Sequence, residues 1–575
     1  MKFSRIILIT TLLLTGFSLW FLSDQSVDQY ELIYIADKGK GQTYQAHVIS
    51  QDGKRHQTLT PNTSLEGVKS IKPSAIGNYV AILGTLNKTK KNELFVDDLS
   101  DEKPAYKITP NLNEAEEIHE SFIWSPDGYA LAYSIFNHHS GKNDLYVFSL
   151  ATKKHIKVNG SLSGHILPGY RWSPDNKYIA FLMADKFYGH YVLHLSNVRE
   201  VGETKPQAVV TDKDLIQGQN FKWSPDANYL AYVVTDMRTN IASLNIFSIA
   251  HYKQVQIAQT SVSIAMNPYG TGLSFSWSPV SQQLAYSVVQ NSGFTELYII
   301  NMGGERKPRS LTYKDELDLH YGVKADGLNN QTASTYKLVQ QSKGVNSLLR
   351  GSRVNKVVAY GVQEFVWSPD GQKIAYTADF ELKDKNLYII DIDKKQANSV
   401  DDLWKVNSDF TNTLFQFIDS FEWSYDGKYI AYTVDSEQKS ELFIKDMNMR
   451  TASRHVMDFK QMQRLSLVWS PKYHLLAFSG HDIGSGTLEL YTFQPNGAVL
   501  TNLSQGLESD KYHVGRYRWS NDSEQIAWLA GRREEKDSII SRFKLLIANS
   551  DGKKMKTLGD TKLPESSITE FYYLN

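Results

Sequence analysis

Apolar and polar residues alternate in short runs along this chain, and one such run is written eight times. Its clearest copy is Ser121 to Tyr133, SFIWSPDGYALAY, and Trp-Ser pairs mark the set at Trp124, Trp172, Trp223, Trp277, Trp367, Trp423, Trp469 and Trp519. Each Trp has a large apolar residue two places before it and an Ala eight places after it, followed at once by Tyr, Phe or Trp. Spacing of two marks a strand and Pro-Asp-Gly marks a tight turn, so each copy predicts a β-hairpin. The turn letters drift, reading PDG at Pro126 and Pro369, PDN at Pro174, PDA at Pro225, PVS at Pro279, YDG at Tyr425, PKY at Pro471 and NDS at Asn521. A turn tolerates such drift and a catalytic position does not, so these Asp residues read as structural.

A third strand follows every hairpin, as in DLYVFSL at Asp144, ELYIINM at Glu296 and ELFIKDM at Glu441, and a weaker fourth follows that, as in PRSLTY at Pro308. Four antiparallel strands in about 50 residues make one propeller blade. Trp-to-Trp spacings of 46 to 56 residues keep to that length, with one gap of 90. Ser70 to Ile82, SIKPSAIGNYVAI, is a degenerate copy in which Pro73 replaces the Trp. Before it, ELIYIAD at Glu31, YQAHVISQDG at Tyr44 and the stretch Arg55 to Thr60 read as a blade without its first strand, which ITEFYY at Ile568 to Tyr573 can supply. The expected fold is therefore all-β: a β-propeller of about ten four-stranded repeats, in one large ring or two smaller ones, closed by pairing of the N- and C-terminal strands. The long gap, residues 314–360, holds ADGLNNQTAS and the basic QQSKGVNSLLRGSR; its Gly, Asn and Ser content predicts a surface insertion, a loop excursion or a bridge between two rings.

Only the first residues break the strand pattern. Lys2 and Arg5 precede a charge-free run from Ile6 to Leu22 that ends in Trp20, Phe21 and Leu22, with no small-x-small cleavage site after it. Residues 1–27 are expected to be an uncleaved N-terminal membrane-anchor helix and short linker, with the repeat region 28–575 on the exported side, periplasmic or extracellular. There is no cysteine, hence no lipid attachment through a thiol and no disulfide. With 62 basic and 62 acidic residues and no long run of either sign, nothing in the charge points to nucleic acid.

The quoted motifs resemble the Pro-Asp variant of WD-like repeats found in the TolB family and in the propeller half of prolyl-oligopeptidase-type peptidases. The resemblance implies a propeller and, from TolB, a role in the periplasm with envelope and outer-membrane partners. The chain departs from the pattern at Val280, Tyr425, Lys472 and Asn521, and in its longer array and expected anchor.

Candidate chemistry is sparse. No G-x-S-x-G elbow is present. His138-His139 falls in the loop NHHSGKND, and Asp391 and Asp393 run into a Lys-rich turn; both read as solvated, so no metal site or cofactor is expected. In the first strand, the residue between the aromatic and the Trp points the other way from both, and it is Ile123, Arg171, Lys222, Ser276, Val366, Glu422, Val468 and Arg518. Arg171, Lys222, Glu422 and Arg518 are the candidates for lining a central channel; the structural alternative places them in solvent at blade edges. The expected function is a binding scaffold for an envelope protein or peptide, without catalysis. The rival readings are a channel hydrolase or lyase acting on carbohydrate, which three clustered His residues would favour, and a regulatory propeller for a separate peptidase.

Overall fold

The computed structural model describes residues 31–574 apart from 312–359, shorter connecting segments (chiefly 38–43, 60–64, 185–190, 200–203, 210–219, 262–272, 380–384, 394–403, 406–416, 461–465, 482–487, 508–511, 534–539 and 559–567) and a few scattered positions. The expected anchor at 1–27 and nearly all of the 314–360 stretch lie outside the described residues. Among the described residues every regular element is a strand, and no helix is long and apolar enough to cross a membrane.

The strands form seven sheets of four, one of five and one of eight, antiparallel in almost every pairing and in nearly sequential order. The five-stranded sheet is a four-stranded unit whose first strand is broken into His165–Ile166 and Arg171–Trp172. The eight-stranded sheet is two units, sealed where Phe294 and Thr295 pair in parallel with Tyr360 and Gly361. Ten repeat units therefore stand among the described residues, each with the strand order of a β-propeller blade. The seal requires glycine: Gly361 has φ +103°, and a Cβ there would lie 2.3 Å from the Thr295 carbonyl oxygen.

Two compact units can be distinguished, Met1–Ile108 with Arg542–Leu545 and Thr557–Asn575, and Thr109–Ser541 with Leu546–Lys556. In the first, Leu32–Asp37 pairs on one side with Tyr44–Ile49 and on the other with Ile568–Tyr573, matching Tyr34 to Phe571. The tail of the chain thus supplies the strand that its head lacks. The Pro73 copy folds as the motif predicts, with Leu65–Pro73 against Tyr79–Leu86 and Gly77 at φ +78° in the turn.

In the second unit the core lies between blades. Ala180, Leu182 and Leu193 of the Trp172 blade pack on Phe221, Leu230 and Tyr232 of the next, and the same layering recurs between each of the blades that follow. Alternation explains it: a strand buried on both faces sends apolar side chains into both neighbouring layers. The indoles add a polar stitch. Trp223, Trp277, Trp367, Trp423, Trp469 and Trp519 each donate Nε1–H to the carbonyl just before the Trp of the preceding blade, at 3.0 to 3.4 Å. Trp172 is the exception, its Nε1 finding no acceptor among the described residues. Where the residue two before the Trp is Tyr, its hydroxyl makes a second stitch, from Tyr170 to the Ser121 carbonyl and from Tyr517 to that of Ser466.

The Ser of each Trp-Ser pair is almost wholly buried and serves as the hub of its turn. Ser125 Oγ donates to Asp127 Oδ1 at 2.5 Å and accepts from the Ala130 amide at 3.0 Å, while Asp127 Oδ1 accepts from the Tyr129 amide at 3.2 Å. Corresponding bonds form at Ser173–Asp175, Ser224–Asp226, Ser368–Asp370, Ser424–Asp426 and Ser520–Asp522. These carboxylates are turn locks of the Asx type.

Candidate functional site

The stitches decide where the four sequence candidates stand. Each Trp holds the backbone of the residue before the preceding Trp, so Arg171, Lys222, Ser276, Val366, Glu422 and Val468 form a row, one per blade, and Arg518 occupies the same position in the Trp519 blade. The strand that carries them is the edge of its sheet. All four candidates are exposed, whereas the Phe or Tyr one place before each is buried.

Arg171 and Lys222 are neighbours. The Arg171 guanidinium lies 5.6 Å from the centroid of Phe221, and Lys222 Nζ lies 5.4 Å from that of Phe275 while donating to the Phe275 carbonyl at 3.0 Å. Partial burial, and then the Arg171 charge, holds the Lys222 ammonium below its ordinary range. Among the described residues neither Arg171 nor Lys222 forms an ion pair, so this end of the row is cationic. Glu422 stands between Val366 and Val468 in the row, and desolvation pushes its carboxyl up. The row therefore brings Arg171 and Lys222 together and keeps Glu422 apart from them.

Lys72 holds the same register position in the Pro73 copy of the first unit. Desolvation lowers its ammonium and the charge of Glu570 opposes that shift. Sequence reasoning passed over it although SIKPSAIG aligns without gaps on SFEWSYDG, which places Lys72 at the Glu422 position.

A second group was not foreseen. Glu441, His455 and Asp458 bring ligand-type atoms within 4.8 Å of one another, the one such group among the described residues. Lys439–Asp446 and Arg454–Lys460 are paired outer strands, and a register shift between Leu442 and Phe443 lets His455 and Asp458, three apart, reach the same face. Lys439 Nζ already sits there, 2.9 Å from both Glu441 Oε1 and Asp458 Oδ2, and His455 Nε2 is 2.6 Å from Asp458 Oδ1. Desolvation would raise Asp458, but the bonds from Lys439 and His455 prevail and hold it below the usual carboxylate range. The Lys439 ammonium group thus bridges two of the three carboxylate and imidazole groups. His138 bonds Glu117 at 3.1 Å on the surface, in keeping with a solvated loop.

No protein-family model matches the chain, and no curated protein does either. Among solved structures it is similar to a eukaryotic initiation factor at 12% identity and a TM-score of 0.49, covering 95% of this chain and 98% of that one. TolB from Agrobacterium tumefaciens matches at 14% identity and a TM-score of 0.25, over 40% of this chain and 82% of that one. The β-propeller domain of the Trilobed protease from Pyrococcus furiosus matches at 13% and 0.29, over 69% and 98%. None of these likenesses is close, and the blade architecture rests on the sheets described above.

Proposed function

We propose that this chain is an exported, membrane-tethered, TolB-like propeller that binds a protein or peptide partner in the cell envelope, without catalysis of its own. The observation that carries the reading is the row on the first strands: one register position of successive blades, exposed at Arg171, Lys222, Val366, Glu422 and Arg518 and partly buried at Ser276 and Val468, and beginning with a cationic pair, Arg171 and Lys222, that no carboxylate of the described residues neutralises. A preformed row of this kind suits an extended segment laid across several blades, and its cationic end favours acidic residues there. The channel-enzyme reading calls for three gathered His residues; the mixed Glu441, His455 and Asp458 group has one His, and Lys439 bridges its two carboxylates. The test is affinity capture from envelope extract with the detergent-solubilised full chain, beside an Arg171→Glu/Lys222→Glu variant. A protein recovered by the wild type and lost by the charge-reversed variant is expected. Equal recovery by both, or glycan turnover with no captured protein, would reverse the reading.

A further inference from the structure

Two of the turns that depart from the chain's own repeat meet at one place. In the Pro-Asp-Gly frame, Tyr425 stands where the repeat has Pro, and Lys472 and Tyr473 stand where it has Asp and Gly. Without the Asp, Ser470 Oγ donates to the Tyr473 carbonyl, and the Leu475 amide bonds that same oxygen at 2.9 Å. Tyr473 avoids the positive φ that Gly427 and Gly371 adopt at this position, and its side chain is thrown outward, 51% exposed.

These residues line a cleft of about 380 Å³ across the turns of three consecutive blades. Its volume lies near the lower end for small-molecule sites. One wall is aromatic. Tyr425 is 40% exposed and stacks on His474, with centroids 5.3 Å apart, and His474 is pinned by Asp426 at 2.8 Å. The remaining lining is mainly hydroxyl and amide: Gln494 and Thr501 keep their side chains without protein partners among the described residues, and Thr492 Oγ1 ties the walls together by bonding the Ser550 carbonyl at 3.1 Å. Lys472 and Asp551 carry opposite charges, so the lining has no formal net charge, and Asp551 is itself paired with Lys553 at 3.2 Å. Only Leu475 and Val499 are aliphatic, too little to seat an apolar peptide side chain.

Aromatic faces beside amide and hydroxyl groups match the chemistry of a pyranose, whose C–H faces stack on rings while its hydroxyls take hydrogen bonds. We propose that the Tyr425–Tyr473 cleft is a binding site for an uncharged mono- or disaccharide unit, separate from the row on the first strands. Restoring the repeat gives an unusual control. Lys472→Asp/Tyr473→Gly rebuilds the turn that the chain uses elsewhere, so it keeps the fold while removing one ring.

The full chain in detergent is titrated calorimetrically with N,N′-diacetylchitobiose, cellobiose, maltose and lactose. Saturable binding of at least one is expected, weakened tenfold or more by Tyr425→Ala and by Lys472→Asp/Tyr473→Gly, with the melting temperature of the latter at or above wild type. Arg171→Glu/Lys222→Glu leaves it unchanged, which separates this site from the partner-binding row. Absence of saturable binding to all four sugars, or binding that survives both cleft variants, overturns the proposal, as does uptake of an acidic peptide in the cleft with no sugar bound.

Discussion

At the scale of single residues, burial sets the behaviour of Asp97. It lies in Asn92–Asp98 of the first unit, opposite Val80, and is 4% exposed. Desolvation, reinforced by Asp98 and Asp101, raises its carboxyl to about 6 from an ordinary 3.8. The folded chain thus holds this proton more tightly than the unfolded one. The sign follows: the contribution is most favourable below the unfolded value, is lost as pH rises from about 4 to about 6, and stays lost above. Linkage puts the loss on the order of 3 kcal/mol. Asp97→Asn is expected to match wild type near pH 4 and to be more stable near pH 7.5, as read by denaturant unfolding at both values. A gap of equal size at the two pH values would contradict the burial account. Nothing in NELFVDDL marks Asp97 rather than Asp98 as the buried one, because both faces of this strand are buried from Asn92 through Asp97 and burial slackens only at Asp98.

Among elements, the Ser-Pro-Asp-Gly turn shows how much of the fold was legible and where legibility stopped. Its strands, its turn and the structural role of its Asp follow from spacing and residue type alone. Its contact with the next blade does not, because that depends on which turn lies alongside. Ala227 takes φ +61° at the Gly position of its own copy, so the left-handed conformation alone does not demand glycine. Gly371, at φ +68°, differs in its surroundings: a Cβ there would meet Val280 Cγ2 at 2.6 Å and Ser278 Oγ at 2.7 Å in the preceding blade's turn. Gly371→Ala is expected to destabilise by about 2 kcal/mol or more, left-handed strain adding to the overlap, while Ala227→Gly stays within about 1 kcal/mol of wild type. Chemical denaturation of the two variants checks the contrast, and effects of equal size and opposite sign would mean that strain rather than contact decides. The outer-strand group at Glu441 escaped sequence reading for a related reason: a bulge changes which residues share a face, and no letter in RHVMDFK announces one. The Tyr425–Tyr473 cleft escaped because its residues read as drift in a turn, a sound inference at each position that misses where the departures meet.

For the whole molecule, the strongest inference from sequence concerned the ends. A first blade lacking its first strand, and a last segment with a strand's pattern and no blade of its own, together imply pairing across the length of the chain. Ile568–Tyr573 does lie beside Leu32–Asp37. Such a pairing joins residues more than five hundred positions apart, so its loop-closure entropy is paid late and its apolar contacts must hold it. Phe571 is the centre of that contact, opposite Tyr34 and 2% exposed, with Ile568 and Leu574 also buried. Truncating a buried Phe costs about 3 to 5 kcal/mol. Phe571→Ala is therefore expected to open the first unit locally, with amide exchange accelerating across Leu32–Asp37 and Tyr44–Ile49. Strands of the second unit, such as Tyr429–Asp435, carry their cores between their own blades and should keep their protection. Exchange that accelerates equally in both units would show one cooperative body in place of two, and the tail would then act as a lock on the entire array.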